Sequence, residues 1–551
     1  MHDLVLLGDE ALALGAIHAG VSGCFGYPGT PSTEILEYLV DNHEKKGGPV
    51  AQWCANEKTA YETALGVSFA GKRSIVTMKH VGLNVAADPF MNSSLCQIKG
   101  GLICVVADDP SMHSSQGEQD TRFYADFAMV PLFEPTNQQE AYEMVAEAFD
   151  LSERFRVPVI MRMVTRLAHS RAVVSVSDEP RAENRLEKGV PADWMLLPAL
   201  ARKNYEKMLE KQGSLGVWAN GYVRNTLTLN PKRKDIAIIT SGLGRNYYNE
   251  NLADYAVASG GKGVPSVLHV AALPLPVDLI RTICDSASTV LVIEEGMPFL
   301  EKQLRGLIPG RTRIVGKYTG VLPRAGELNP DIVRAALGLP ARKTAADGFA
   351  MPQLSGRPPQ LCKGCPHHDS YSSLNLAVER LNAKEGSVST VVTADIGCYA
   401  LGAVAPLKAV ETIVCMGASI GMARGAAEAG YKYAFGVIGD STFLHSGLTG
   451  LVDAVATNTP ITVIILDNSI VAMTGCQPTM LPSSQLEKAV LGIGVDPAHL
   501  RVIEARPNMV EENANILMEE AEYRGVSVVI MVRECLEAVR LRKKSEAIKN
   551  A

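Results

Sequence analysis

Long apolar runs are missing from this chain. None approaches the roughly 18 residues that a bilayer-spanning helix needs, so membrane insertion is not expected. An excess of positive charge is missing too: 53 Lys and Arg stand against 59 Asp and Glu, a net charge of −6, which leaves no footprint for nucleic acid. Aromatics make up only 6%. Ala, Gly and Val are abundant instead, as in α/β proteins with close helix–sheet packing. Met1-His2-Asp3-Leu4 carries no basic leader segment, so secretion is not expected and a cytoplasmic location is. Eleven cysteines in 551 residues make no disulfide framework; without an export signal, clustered cysteines point to metal or redox chemistry. No short repeat of solenoid type occurs. With 47% apolar and 20% charged residues the composition is ordinary and globular, which excludes disorder, collagen and fibre. At roughly 150 residues per domain, the length suggests about three or four domains.

The pattern along the chain is α/β, with three doubly wound parallel-sheet domains. Residues 1–174 alternate helix and strand, with buried strands expected at Ser74–Met78, Leu102–Val106 and Pro158–Met161 and helices at Thr59–Ala70 and Glu140–Phe149. Residues 175–234 are charge-rich without a strand period and read as a helical connector. A second block, 235–340, holds strands at Asp235–Thr240 and Thr289–Glu294; residues 341–359, rich in Pro and Gly, read as a linker. The third block, 360–540, has strands at Thr390–Thr393, Ala434–Ile438 and Ile461–Leu466, and 541–551 is a basic tail expected to fray.

Gly439-Asp440-Ser441 directly follows one expected strand, and Asp467-Asn468 ends the next, with Asn468 lying 28 positions after Asp440. In a parallel sheet both strand ends open at the carboxyl edge, where ligands bind. An Asp and an Asn there can reach one hard cation through oxygen, and Mg²⁺ takes further oxygens from a diphosphate. Glycines at 436 and 439 let the backbone approach phosphates.

This spacing resembles the thiamine diphosphate fingerprint, with Ser441 and Asp467 as departures from its usual Gly and Asn. Those departures, together with Gly26-Tyr27-Pro28-Gly29-Thr30-Pro31-Ser32, Asn56-Glu57-Lys58, Thr77–Asn84, His113-Ser114-Ser115-Gln116 and Met416–Gly421, resemble the 2-oxoacid:ferredoxin oxidoreductases, and among them the α subunits of the indolepyruvate branch. The resemblance covers nearly the whole chain. It implies a pyrimidine-binding domain at 1–174, a transketolase C-terminal-like domain at 235–340 and a pyrophosphate domain at 360–540. It implies that Glu57 is the carboxylate beside N1′ of the cofactor, and that Tyr27, Pro28, Gly29, Gly397, Gly417, Ala418, Ser419, Gly439, Asp440, Ser441, Asn468 and Ile470 line the cofactor. Asp440, Asn468 and Ile470 would hold Mg²⁺. Taken alone, Glu57 reads rather as a helix N-terminal residue favoured by the dipole. Thr30 is a candidate for the substrate carboxylate, or a helix cap. His80, His113 and His445 are candidate proton donors, and Gln116 and Arg122 are candidates to shape the pocket. The Arg that binds carboxylate in the pyruvate enzymes has no clear match.

Cys362-Lys363-Gly364-Cys365, Cys398 and Cys535 stand where the family's pyruvate enzymes hold the [4Fe–4S] cluster nearest thiamine. Cysteines that hold no metal are one alternative, and a Cys₄ zinc site with the same ligand count is another, but an oxidative decarboxylase needs an electron exit that zinc cannot supply. Cys24, Cys54, Cys96, Cys104, Cys284 and Cys415 sit in apolar contexts and read as core; Cys476 is placed to line the pocket. The implied activity is oxidative decarboxylation of an aryl 2-oxoacid to its acyl-CoA, in an (αβ)₂ assembly with a smaller β subunit. The two dense Cys motifs of the family's C-terminal ferredoxin-like domain do not occur here, so ferredoxin or another separate protein is expected to take the electrons. A non-oxidative thiamine decarboxylase and an inactive regulatory subunit are the competing readings.

Overall fold

The computed structural model describes residues 1–259, 263–308, 310, 312–342, 359–386 and 389–549. The chain divides into two compact units, Met1–Met351 and Pro352–Ala551.

The first unit holds two large sheets. One has seven strands in the order Ala272–Leu273, Leu132–Phe133, Val159–Val164, Leu102–Asp108, Ser74–Lys79, Gly23–Gly26, Val50–Trp53, all parallel except the first. Its central strands are mostly apolar and buried on both faces, the signature of a parallel sheet covered by helices. From Gly23–Gly26 the chain adds the edge strand Val50–Trp53, then crosses back to Ser74–Lys79. The strand order thus reverses between Gly26 and Thr77, and crevices at such reversals bind ligands. The second sheet runs Arg313–Val315, Thr289–Ile293, Ile236–Ser241, Ser266–Val270, Thr226–Thr228.

The expected strands at 74, 102, 158, 235 and 289 all form, within three residues at most of their ends. The connector differs from expectation. The 24-residue helix Pro198–Gly221 fills much of it, but Thr226–Thr228 is an antiparallel edge strand of the second sheet. Arg171–Val176 straddles the expected boundary at 174 and pairs antiparallel with His2–Leu7 in a separate ribbon. Both strands are short or half-exposed, so neither leaves an apolar run to read.

A buried ion network joins the two sheets. The Arg122 guanidinium donates to Asp120 Oδ1 (2.9 Å), Glu294 Oε2 (2.8 Å) and Ser241 Oγ (3.3 Å), while Arg162 pairs with Asp108 (2.6 Å) and Glu134. Removing one partner of such a buried pair costs on the order of 3–5 kcal/mol. Arg122 is therefore a strut between sheets and not a pocket residue, a correction to its sequence reading.

The second unit has one wholly parallel six-stranded sheet: Thr412–Ile413, Thr390–Ala394, Tyr433–Gly439, Ile461–Asp467, Val526–Val532, Leu500–Glu504. After Thr390–Ala394 the chain goes to the edge at Thr412, then returns on the other side as Tyr433–Gly439, so the order reverses between Ala394 and Gly439. Asp395, Asp440 and Asp467 all stand at carboxyl ends of adjacent strands. Of the expected linker 341–359, residues 343–358 lie outside the described residues. The expected fraying tail is instead entered by the helix Leu536–Lys549.

Candidate active site

Three carboxylates crowd the reversal point of the second unit. Asp440 and Asp467 are both buried. Ser469, at φ 67, takes the left-handed conformation that aims its N–H at both of them, 2.7 Å from Asp440 Oδ2 and 3.1 Å from Asp467 Oδ1. Asp440 Oδ1 accepts the Ser441 N–H at 2.8 Å. Burial, and then the adjoining Asp467 carboxylate, push Asp440 up to about 8. Asp467 Oδ2 is buried with no hydrogen-bond partner. Two facing carboxylates, one with an orphan oxygen, suit a divalent cation. Asn468 Oδ1 accepts the Ile470 N–H at 3.1 Å. Ile470 opens a short ribbon opposite Pro478, which has no N–H to offer the Ile470 carbonyl.

Asp395, which the sequence reading did not single out, organises the other side. It accepts the Ser419 hydroxyl (2.7 Å), the Gly417 N–H (3.1 Å) and the Ser419 N–H (3.3 Å), all on Oδ2, and the Tyr399 hydroxyl on Oδ1. Burial raises Asp395 to about 6 against these donors. The start of the helix Ala418–Glu428 is thus occupied from within the protein: the Ala418 N–H also goes to a backbone oxygen, that of Cys415, at 3.1 Å. The amides of Gly417, Ala418 and Ser419, residues expected to line the cofactor, are thus bonded within the protein. Gly417 is glycine for a different reason: it has φ 84, and a Cβ there would lie 2.6 Å from Ser446 Cβ. The Tyr399 ring fills the space beside Gly397 and Gly439, where a Cβ would lie 2.3 and 2.6 Å from it. A strand-ending Asp followed by Gly and Tyr was the available signal for this corner. His445 is buried in a π-helical turn, Phe443–Gly447, 2.6 Å from Ser446 Oγ; such turns recur at functional sites.

The cysteines of this unit gather next to these groups. Cys365 precedes the helix Pro366–Glu385 and receives the backbone N–H groups of His367 and His368, while burial raises its thiol. Cys398 is pushed up to about 12 by burial and then by Cys365, Cys535, Cys362 and Cys476. The Cys535 N–H bonds the Asn468 carbonyl at 3.3 Å. Gly364, at φ 80, makes the turn that brings Cys365 N to 3.0 Å from Cys362 O. A cavity of about 390 Å³ opens beside Cys362 and Cys365, lined also by Asp369, Leu407 and Arg533. Of the cysteines read as core, Cys24, Cys96, Cys104 and Cys284 are buried, Cys54 is half-buried and Cys415 is exposed; a short apolar neighbourhood in sequence does not guarantee burial at a strand end.

In the first unit the reversal point carries the loop Tyr27–Ser32. Tyr27 and Pro28 are buried. The loop is closed by Ser32 N on Gly29 O (2.8 Å) and by Gly29 N on Thr33 Oγ1 (3.0 Å). Gly29 packs against Lys79, whose Cβ a Gly29 Cβ would approach to 3.1 Å. Buried Lys79 donates to Ser114 O (2.8 Å) and Ser114 Oγ (3.0 Å), 4.0 Å from Asp109 Oδ2. Burial lowers its ammonium to about 8, against the pull of Asp109. Ser114 Oγ also reaches the Thr30 carbonyl at 3.4 Å. Glu57 is buried at the start of the helix Glu57–Phe69, capped by Asn56. Its carboxyl is packed on Gly82: a Cβ at Gly82 would lie 2.5 Å from Glu57 Oε1. His80 Nε2 is 3.1 Å from Gly117 O, and its Nδ1 is buried without a partner. His113 is more than half exposed, 3.6 Å from Glu327, apart from Glu57 and Lys79 in its contacts. The structure brings Thr30, Lys79 and Ser114 together, and Glu57 with Gly82.

No helix among the described residues is long and apolar enough to cross a membrane. Residues 14–197 match the family described as pyruvate flavodoxin/ferredoxin oxidoreductase, thiamine diphosphate-binding, and residues 395–522 match the thiamine pyrophosphate enzyme C-terminal binding domain. Indolepyruvate oxidoreductase subunit IorA of Archaeoglobus fulgidus is 37% identical over 96% of this chain and 86% of its own length. The subunits of the same name from Methanothermobacter marburgensis and Thermococcus kodakarensis are 36% and 34% identical over 97% of this chain, and 87% and 86% of theirs. With thiamine-type binding domains matched in both units and this identity over nearly its full length, the chain belongs to the IorA family of 2-oxoacid oxidoreductase subunits.

Proposed function

We propose that this chain carries out the thiamine diphosphate-dependent oxidative decarboxylation of an aryl 2-oxoacid, indolepyruvate or a close relative, to its acyl-CoA. The observation that carries this reading is the buried Asp440–Asp467 pair with its orphan oxygen, beside Asn468 at a sheet reversal. Those residues fit Mg²⁺ and a diphosphate: Asp440, Asn468 and the Ile470 carbonyl would hold the cation, with Ser441 on the phosphates. Thiamine diphosphate, when bound, supplies the electron sink that lets a 2-oxoacid release CO₂. Glu57 would hold a proton at N1′ of the aminopyrimidine, its carboxyl kept in place by Gly82 and sheltered from water. Lys79 would hold a positive charge near the Thr30 loop, the nearest equivalent here of a carboxylate-binding cation.

Cys362, Cys365, Cys398 and Cys535 fit a [4Fe–4S] cluster, which would supply the one-electron exit. Their thiols influence one another electrostatically. Among the described residues, though, only Asp9, Glu34 and His169 have three ligand atoms within 4.8 Å of one another. Four thiolates on one zinc would be spaced about 3.8 Å apart, so the wider setting favours a cluster over zinc. A smaller β subunit in an (αβ)₂ assembly, coenzyme A as acyl acceptor, and ferredoxin or another protein as electron acceptor complete the reading.

The test is anaerobic preparation with the partner subunit. Acceptor reduction should require arylpyruvate, coenzyme A, thiamine diphosphate and Mg²⁺, and iron and acid-labile sulfide should be present and be lost in Cys365→Ser. Zinc or no metal at these cysteines together with acceptor reduction would overturn the cluster. Aldehyde release without acceptor reduction would favour a simple decarboxylase.

A further inference from the structure

In the first unit, Asp9, Glu34 and His169 converge where nothing in the reaction above requires them. Each offers one ligand atom, and the three atoms lie within 4.8 Å of one another. Asp9 is fully buried, and neither of its oxygens has a hydrogen-bond partner. Glu34 Oε2 is likewise unpartnered, while Glu34 Oε1 lies 3.4 Å from His169 Nε2. The other acid beside Asp9 is Glu10, which turns away to accept the Leu7 N–H at 2.8 Å. A bare carboxylate in this position is expensive unless a charge or donors compensate it, and no donor among the described residues bonds to it. Burial raises Asp9 well above the usual carboxylate range.

The sequence builds the arrangement deliberately. Gly8 lets the helix Gly8–His18 touch the turn Thr165–Ala168, since a Cβ at Gly8 would lie 2.2 Å from Leu167 O. That contact sets Asp9 beside His169, the residue that follows the turn. Glu34 comes from the first turn of the helix Thr33–Asn42. Two of the three side chains reach water, with His169 35% and Glu34 34% exposed, so an ion has a way in.

We propose that Asp9, Glu34 and His169 form a binding site for a divalent first-row metal ion. Two carboxylate oxygens and one imidazole nitrogen suit Mn²⁺, Fe²⁺ or Zn²⁺ and leave coordination positions for water. The ion takes the place of the proton between His169 and Glu34 and compensates Asp9. It ties the starts of two helices to the end of the turn Thr165–Ala168. One of those helices continues directly from the Tyr27–Ser32 loop, so the ion braces the base of that loop.

The experiment titrates Mn²⁺ into the metal-stripped full chain carrying Asp440→Ala, following loss of the free-ion EPR signal. Mn²⁺ is chosen because thiolates select softer metals, and Asp440→Ala disables the other carboxylate site. One Mn²⁺ per chain should remain bound, with the nitrogen coupling of an imidazole in pulsed EPR. Asp9→Asn and His169→Gln should each weaken it about tenfold or more, and His169→Gln should abolish the coupling. His169 is partly exposed, so that variant folds even if Asp9→Asn does not. No Mn²⁺ bound to the Asp440→Ala chain, or an unchanged isotherm and coupling in His169→Gln, would overturn the site.

Discussion

Asn468 Nδ2 lies 3.3 Å from His367 Nε2, and the direction of that hydrogen bond is settled by its neighbours. Asn468 Oδ1 is held by the Ile470 N–H, which can only donate, so the amide NH₂ faces the histidine. His367 must then accept. It can, because burial lowers its pKa to about 4 and keeps the imidazole neutral. A histidine two residues after Cys365 thus orients an oxygen at the proposed cation site. Groups in this supporting position typically matter about 10–100-fold to metal affinity. His367→Leu should weaken Mg²⁺-dependent thiamine diphosphate binding by that range with the fold intact by circular dichroism. Native affinity by titration calorimetry would leave His367 with a packing role only.

Asp467 makes opposite contributions with and without the cation. Without it, its charge raises the cost of ionising Asp440. Asp467→Asn removes that repulsion. In EDTA at pH 8 the variant should melt no lower than the wild type, and higher if Asp440 ionises freely. With Mg²⁺ the order should invert, because the variant removes negative charge beside the cation that Asp440, Asn468 and Ile470 would hold. Calorimetric scans with EDTA and with Mg²⁺ read both halves; a variant that is less stable in both would refute the pairing.

Much of this architecture was legible because buried parallel strands leave unbroken apolar runs. Tyr433–Gly439, Ile461–Asp467 and Val526–Val532 are buried throughout or nearly so, and their carboxyl ends fix where Asp440, Asn468 and Cys535 fall. Strands without such runs were invisible: Thr226–Thr228 is three residues long, and Arg171–Val176 is half-exposed. At the sites, positions near a motif could be found, but which donor meets which acceptor could not. Asp395 captures the amides of Gly417 and Ser419, residues expected to line the cofactor. Asp9, Glu34 and His169 are far apart in sequence, and only the Gly8 contact with Leu167 brings the first and last together.

Lys79 gives a pH signature of its own. An exposed lysine titrates near 10.4, and burial brings this one to about 8. Between those values the unfolded chain holds the proton and the folded chain has released it. Stability therefore rises with pH in that window through this residue, and the burial cost is fully present below about pH 8. Relative to Lys79→Met, the wild type should gain up to on the order of 3 kcal/mol between pH 8 and 10.4. Urea denaturation of both proteins across the window measures the difference; parallel curves would mean that Ser114 and Asp109 keep the ammonium fully charged.

Gly82 tests the placement of Glu57 without touching the carboxylate. Its helix His80–Val85 follows the strand Ser74–Lys79 and lies directly on the Glu57 side chain. A methyl at Gly82 would stand 2.5 Å from Oε1, 2.7 Å from Cγ and 2.8 Å from Cδ, so the carboxyl cannot keep its position. Gly82 has no positive φ, and Ala favours helix by about 1 kcal/mol over Gly; the backbone should tolerate the change. Gly82→Ala is therefore expected to fold, bind thiamine diphosphate and Mg²⁺ near normally, and lose C2 hydrogen exchange about 100-fold or more, since a displacement of about 1 Å can cost that much. Glu57→Gln should show the same split between binding and exchange. Exchange measured by NMR in deuterated buffer decides it. If Gly82→Ala exchanges at the wild-type rate while Glu57→Gln does not, the carboxyl has found another path to its partner and the packing on Gly82 is not what holds it. If both exchange normally, the activating carboxylate is a different residue.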